Sequence, residues 1–119
     1  MLEEPDPFWD HYRLARTHLD KGEYELSLRE GEKAMEAAKL KNDLPYIRMA
    51  HRRLFDSYLA MGDVANAEKE LDWLDRDVKK SSAWDKKVNA KETLGDIQMS
   101  YRRRLEELKK SQQKEQKNP

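Results

Sequence analysis

Leu14-Ala15-Arg16-Thr17-His18-Leu19-Asp20-Lys21-Gly22-Glu23-Tyr24-Glu25-Leu26-Ser27-Leu28 and Leu54-Phe55-Asp56-Ser57-Tyr58-Leu59-Ala60-Met61-Gly62-Asp63-Val64-Ala65-Asn66-Ala67-Glu68 lie forty positions apart and read alike. Each runs apolar helix, glycine, acidic residue, apolar helix. Gly22 and Gly62 fit the left-handed residue that closes a helix, because glycine has no Cβ to clash there. Self-similarity at a period of this size marks stacked helical hairpins, in which each unit buries its apolar edge against the next. A stack of this kind is a binding scaffold before it is an enzyme.

Composition agrees. The chain has 119 residues, enough for one domain, and 40% of them are charged against 37% hydrophobic. Thin helices around a shared core leave most positions in water and suit such a balance; a large buried sheet does not. The apolar residues recur periodically and include three Trp, five Tyr and two Phe, so the chain is not disordered throughout. Net charge is zero, yet its distribution is uneven. From Lys79 onward there are 12 Lys and Arg against 6 Asp and Glu, which leaves 12 against 18 in the rest. The pattern is a basic C-terminal arm on an acidic body. With no cysteine, disulfides and thiolate chemistry are excluded, and a cytoplasmic setting fits. Met1-Leu2-Glu3-Glu4-Pro5 is acidic and has no signal-peptide character, and no apolar run approaches a membrane span.

Along the chain, Asp6-Pro7 opens a first helix that Gly22 closes. A second helix runs from about Glu23 to Lys41, with Gly31 inside it. Glycine there costs about 1 kcal/mol relative to alanine, so it predicts close approach of a neighbouring helix. Asp43 and Pro45 open a third helix, ended by Gly62, and Asp63 caps a fourth that ends near Lys80. The inner turns are so short that they force antiparallel neighbours. Ser81-Ser82 predicts the cap of a long fifth helix through Trp84, Val88, Leu94, Ile97, Tyr101, Leu105 and Leu108, with one wider gap between Val88 and Leu94 and Gly95 as a weak point. The residues after Lys110 lack an apolar side chain, which predicts fraying and disorder over 111–119. The expected architecture is all-α: hairpins over 7–41 and 44–80, and a long helix over 82–110 that caps the second hairpin. Trp84 and Val88 are expected to make the capping contact, with Ile97 and Tyr101 either continuing it or forming a dimer seam.

These hairpins resemble the tetratricopeptide repeat family. Leu14 and Ala15 match its first helix, Gly22-Glu23-Tyr24 its turn, and Ser27 and Ala34 the small residues of its second helix. In the second unit Leu54, Tyr58, Gly62-Asp63 and Ala67 match, while Phe55 and Leu74 stand where the family carries small residues. The forty-residue spacing exceeds the common period of about 34 and resembles the longer repeats of kinesin light chains and of bacterial regulatory and sensor proteins. The resemblance covers about Phe8 to Lys80. The stretch from Ala67 to Asp77, followed by the charged fifth helix, is similar to the tail of sensor domains in bacterial two-component proteins.

The resemblance implies a concave surface lined by the first helix of each unit: Trp9, Tyr12, Arg16 and Leu19, then Met49, Arg52, Asp56 and Leu59, with Arg48 and Arg53 flanking. Rings can bury apolar side chains of a peptide, and guanidinium groups can fork a carboxylate. In relatives that grip a C-terminal carboxylate, Lys, Arg and Asn occupy set positions, and Tyr12 and Asp56 depart from that pattern. His11 and His51 occupy equivalent places and His18 follows His11 by two turns; equivalence across units favours packing over a metal site. Arg102-Arg103-Arg104 with Lys109-Lys110 offers phosphate contacts, and Glu106 and Glu107 are spaced to neutralise them. No Gly-rich phosphate loop, Cys–His pair or His-Glu-x-x-His is present, so catalysis, cofactor and metal are not expected. The expected function is protein–protein interaction with a peptide or partner protein, as an adaptor or regulatory module. The alternatives are a dimeric sensor part assembled through residues 84–108, and nucleic-acid contact through the basic arm.

Overall fold

The structure, a computed structural model, describes residues 6–80, 87–89 and 91–117. Among them the chain is all-helical: α1 (Pro7–Asp20), α2 (Tyr24–Lys41), α3 (Leu44–Ala60), α4 (Val64–Lys80) and α5 (Leu94–Lys117). Each helix packs against the next, and α1 also touches α3.

The two inner turns have one geometry. Gly22 has φ +78° and Gly62 φ +74°. At the first, Glu23 N–H donates to His18 O at 2.9 Å and Gly22 N–H to Leu19 O at 3.0 Å. At the second, Asp63 N–H donates to Tyr58 O at 2.9 Å and Gly62 N–H to Leu59 O at 3.1 Å. This doubled bond across a left-handed residue satisfies carbonyls that a helix end would otherwise leave open. α2 ends differently, on a left-handed Asn42 (φ 52°). At the starts, Asp6 Oδ1 accepts from Phe8 N–H at 3.0 Å and Asp63 Oδ1 from Asn66 N–H at 3.2 Å. Asp43 holds the capping position of α3 without a side-chain bond.

One apolar cluster joins Phe8, Ala34, Met35, Ala38, Ala50 and Leu54 across α1, α2 and α3. Gly31 lies here: a Cβ on it would stand 3.0 Å from Leu54 Cδ2, the close approach expected of it. Ser27 Oγ donates to Ala15 O at 2.8 Å and sits 2.8 Å from Ser57 Oγ, tying α1, α2 and α3 through buried hydroxyls. A second cluster joins Phe55, Ala67, Leu71 and Leu105 across α3, α4 and α5. Phe55 is fully buried and meets Tyr101 at 5.4 Å between ring centroids.

The fifth helix corrects the expectation at both ends. It starts at Leu94, not near residue 82. Lys87 and Thr93 form an isolated bridge, and Asn89 Oδ1 accepts from Lys91 N–H and Glu92 N–H at 2.8 and 2.9 Å, so a side-chain-stabilised turn replaces helix there. Thr93 and Asp96 then cap α5 reciprocally: Thr93 N–H to Asp96 Oδ2 at 2.9 Å, Asp96 N–H to Thr93 Oγ1 at 3.1 Å. Gly95 falls in the first turn rather than mid-helix. Val88, expected to cap the second hairpin, is 52% exposed; Trp84 and Ser81-Ser82 lie outside the described residues. The contact with the second hairpin comes from Tyr101, expected either to continue the capping contact or to form a dimer seam, and from Leu105. At the other end α5 runs on to Lys117, beyond the expected limit at 110. Gln112 Nε2 donates to Gly62 O at 2.8 Å and holds the later turns on the second glycine turn.

Candidate functional site

α1, α3 and α5 converge on Asp56. They line an open cleft of about 520 Å³ with Arg16, Leu19 and Asp20 from α1, Tyr24 at the start of α2, Asp56, Leu59 and Ala60 from α3, and Arg104 from α5. Arg16 and Asp56 lie forty positions apart, as do Leu19 and Leu59, and the cleft brings these four expected residues together. Arg16 Nε donates to Asp20 Oδ1 at 3.0 Å, and Arg104 to Asp56 Oδ1 at 3.4 Å.

The Asp56 side chain is only 16% exposed. Burial pushes its carboxyl above the ordinary carboxylate value, and Arg104, Arg53 and Arg16 oppose that push without cancelling it. Arg53 is 8% exposed, and its guanidinium lies 3.9 Å from the Tyr12 ring centroid, a cation–π contact. The buried Nε atoms of Arg52 and Arg53 have no hydrogen-bond partner. Burial likewise raises the Tyr101 hydroxyl, with Asp56 adding to it and Arg52 and Arg104 opposing.

The other expected residues lie elsewhere. Trp9 and Tyr12 join Phe8 and Tyr46 in an aromatic cluster with centroids 4.7 to 5.9 Å apart. Met49 and Arg52 line a second cleft with Pro45, Arg48, Lys87, Val88 and Leu94. Arg48 is turned to α4, where it pairs with Asp77. Sequence reasoning placed Arg53 at the edge of the set and missed Arg104, Asp20 and Tyr24. Asp20 and Tyr24 bracket Gly22 and were legible from the turn. Arg104 reaches Asp56 from 48 positions away, and nothing local signals it.

The histidines repeat as a device. His11 Nδ1 is 2.6 Å from Glu30 Oε2, and His51 Nδ1 is 2.5 Å from Glu70 Oε2, each pair spanning the two helices of one hairpin. Burial works to raise the Glu30 carboxyl, but the hydrogen bond to His11 and the charges of Lys33 and His11 hold it below its ordinary value. In the second hairpin Trp73 stacks on His51 with centroids 3.8 Å apart. His18 pairs with Glu23 at 3.1 Å. Among the described residues no three His, Asp or Glu converge as metal ligands.

The basic arm folds onto the acidic body. Arg102 reaches Asp72 at 3.1 Å and Asp75 at 2.5 Å, and Lys109 reaches Glu68 at 2.9 Å and Glu106 at 3.4 Å. The expected neutralisation within α5 accounts only for the Glu106 pair; the rest comes from α3 and α4. No described helix is long and apolar enough to cross a membrane.

Comparison of this chain with protein-family models, with curated proteins and with solved structures finds no match.

Proposed function

We propose that the chain is a tetratricopeptide-like interaction module, and that a peptide or a segment of a partner protein binds in the cleft between α1, α3 and α5. The observation that carries this reading is the cleft itself. The first helices of two successive hairpins and α5 line it together, and it offers leucines and guanidinium groups side by side. The matching turns at Gly22 and Gly62, the matching His–Glu pairs and the position of α5 beside the second hairpin support a stack of two repeats closed by a further helix. The chain would then serve as an adaptor or regulatory module.

The rival readings draw less support. A dimer through the fifth helix needs its apolar side chains, and Tyr101 and Leu105 are spent on Phe55, Ala67 and Leu71. Nucleic-acid contact needs free basic groups, and Arg102, Arg104 and Lys109 face carboxylates of the same chain.

The test is affinity capture from extract with three proteins: wild type, Arg16→Glu in the cleft, and Leu40→Glu on α2, where Leu40 is 89% exposed. A partner retained by wild type and Leu40→Glu and lost by Arg16→Glu is the expected result. Loss with Leu40→Glu alone would move the binding surface to the outer helices and refute the reading.

A further inference from the structure

α3 and α5 are held to the helices before them in different ways. Between the hairpins, Phe8, Ala34, Met35, Ala38, Ala50 and Leu54 form one apolar seam. It is drawn tight where Leu54 meets Gly31, and the buried Ser27 and Ser57 hydroxyls tie it. The seam between the second hairpin and α5 is largely polar. α5 buries two apolar side chains, Leu94 at its start and Leu105, while Ile97, Tyr101 and Leu108 are only half covered. To these it adds Arg102 on Asp72 and Asp75, Arg104 on Asp56, Lys109 on Glu68, and the side-chain amides of Gln98 and Gln112. Beyond Leu108 the sequence has no apolar residue, so the last turns rest on Lys109 and Gln112.

Such a seam is weak in a particular way. Every one of its ion pairs has a partly exposed partner, and pairs of that kind are screened by salt, whereas apolar burial is not. Gln98 weakens the seam further. Its side chain is 1% exposed and its Nε2 donates to Asp75 Oδ1 at 3.0 Å, but its Oε1 is buried without a hydrogen-bond partner. Turning the amide over would set its oxygen against the Asp75 carboxylate, so Asp75 fixes the orientation. A buried acceptor left unpaired is destabilising, and contact with water removes that penalty. A helix that loses its packing face also keeps little structure of its own in water, so α5 parts from the hairpin as one piece.

We infer that α5 is a detachable closing helix, latched by its ion pairs, which leaves the second hairpin as a unit while α1 to α4 stay folded. Opening does two things. It uncovers Phe55, Ala67 and Leu71, and it takes Arg104 out of the cleft wall beside Asp56. The cleft is then complete only while α5 is docked. An occupant that touches Arg104 binds the docked form alone and so holds α5 closed. That last consequence rests on the proposed function; the opening itself does not, and it is tested without a ligand.

The chain has no cysteine, so a single introduced thiol reports on a single place. Ala67→Cys puts it in the cluster that α5 covers, and Ala34→Cys puts it in the cluster between the hairpins; both alanines are fully buried. Labelling of each by a thiol reagent is followed in low salt and in about 1 M sodium chloride, with circular dichroism to establish that each variant is folded in both. The Ala67→Cys thiol is expected to label about a hundredfold faster than the Ala34→Cys thiol, because opening one helix requires less than unfolding the chain. High salt speeds it about fivefold, and so does Arg102→Gln added to the same chain, while neither changes the Ala34→Cys rate. Arg13→Gln is the control: it breaks an exposed pair with Asp10 on α1 and leaves both rates as they were. Equal labelling at the two positions shows that α5 parts only when the whole chain unfolds, and overturns the inference. An Ala67→Cys thiol that labels fast but is indifferent to salt and to Arg102→Gln, or that Arg13→Gln speeds as much, overturns the ion-pair latch. A capture experiment that finds no partner for the cleft removes the proposed function and leaves these rates unchanged, so the two readings fail separately.

Discussion

Replacing Gly22 or Gly62 by alanine tests whether the chain makes the same turn twice. Both residues sit near φ +75°, closing α1 and α3 through the same pair of backbone bonds. An L-residue with a Cβ in that conformation is disfavoured by about 1–2 kcal/mol. Alanine recovers about 0.4–1 kcal/mol of this, because it has less freedom to lose from the unfolded chain. The net cost is about 1 kcal/mol at each site. Steric surroundings add little: nothing lies within 4 Å of a Cβ at Gly22, and at Gly62 only Gln112 Nε2 comes to 3.4 Å, the far end of a side chain that can move. Urea unfolding, with a slope of about 2 kcal/mol per molar, should therefore show both midpoints lowered by about 0.5 M. Asparagine tolerates the left-handed region, and this chain already places Asn42 there, so Gly→Asn should cost about half as much as Gly→Ala. Neutral alanine variants would refute left-handed turns at these positions. A cost at Gly22 but none at Gly62 would refute the equivalence of the hairpins, and equal costs for alanine and asparagine would assign the loss to crowding rather than handedness.

Asp56→Asn should raise stability at about pH 7, because the folded chain holds the Asp56 carboxyl above its ordinary value of 3.8. The sign follows from proton binding: between the two values the folded state holds the proton more firmly, so wild type gains stability as pH falls through the raised value. Urea midpoints of variant and wild type should converge at about pH 3, and a gap that persists there would refute the electrostatic account. Gly31→Ala should be neutral or destabilising in wild type, since the gain of about 1 kcal/mol in helix propensity meets a Cβ placed 3.0 Å from Leu54 Cδ2. In a Leu54→Ala background the same change should stabilise by about 1 kcal/mol, and a double-mutant cycle showing no coupling would refute the close approach.

The hairpins were legible because their determinants are local. A glycine, an acidic residue and a small set of apolar spacings lie within one turn of one another, and the forty-residue period repeats them. The same spacing found half of the cleft, since Arg16 and Asp56, and Leu19 and Leu59, lie forty positions apart and line it together. It failed for Trp9 with Met49 and Tyr12 with Arg52, because their neighbours differ: α3 brings Tyr46 against Trp9, whereas Met49 faces Lys87, Val88 and Leu94. The start of α5 was misread for a related reason. Val88 falls at helical spacing from Trp84, and one such spacing does not by itself place Val88 in a helix. Two signals pointed the other way, the wide gap between Val88 and Leu94 and the Thr93-Leu94-Gly95-Asp96 capping box at its end. Arg104 was out of reach of any local rule, since the register of α5 on the second hairpin is set by tertiary contacts alone.

Those contacts explain the divided charge of the chain. A closing helix could have been neutral and apolar, burying Leu105-like residues along its length. Instead α5 offers one fully buried leucine to the second cluster and meets α4 largely through Arg102 with Asp72 and Asp75, Lys109 with Glu68, and Gln98 with Asp75. Partly exposed pairs of this kind contribute about 0–1 kcal/mol each and are screened by salt, so they fix register more than they add stability. That choice has a consequence for the cleft. A register set by Arg102 on α4 carries Arg104 two positions further round the helix, onto Asp56 and into the space between α1 and α3. An apolar seam would hold α5 at least as firmly but would leave that wall of the cleft uncharged. The basic arm thus serves the fold and the cleft at once, since Arg102 and Lys109 fix α5 on α4 while Arg104 lines the cleft beside Asp56.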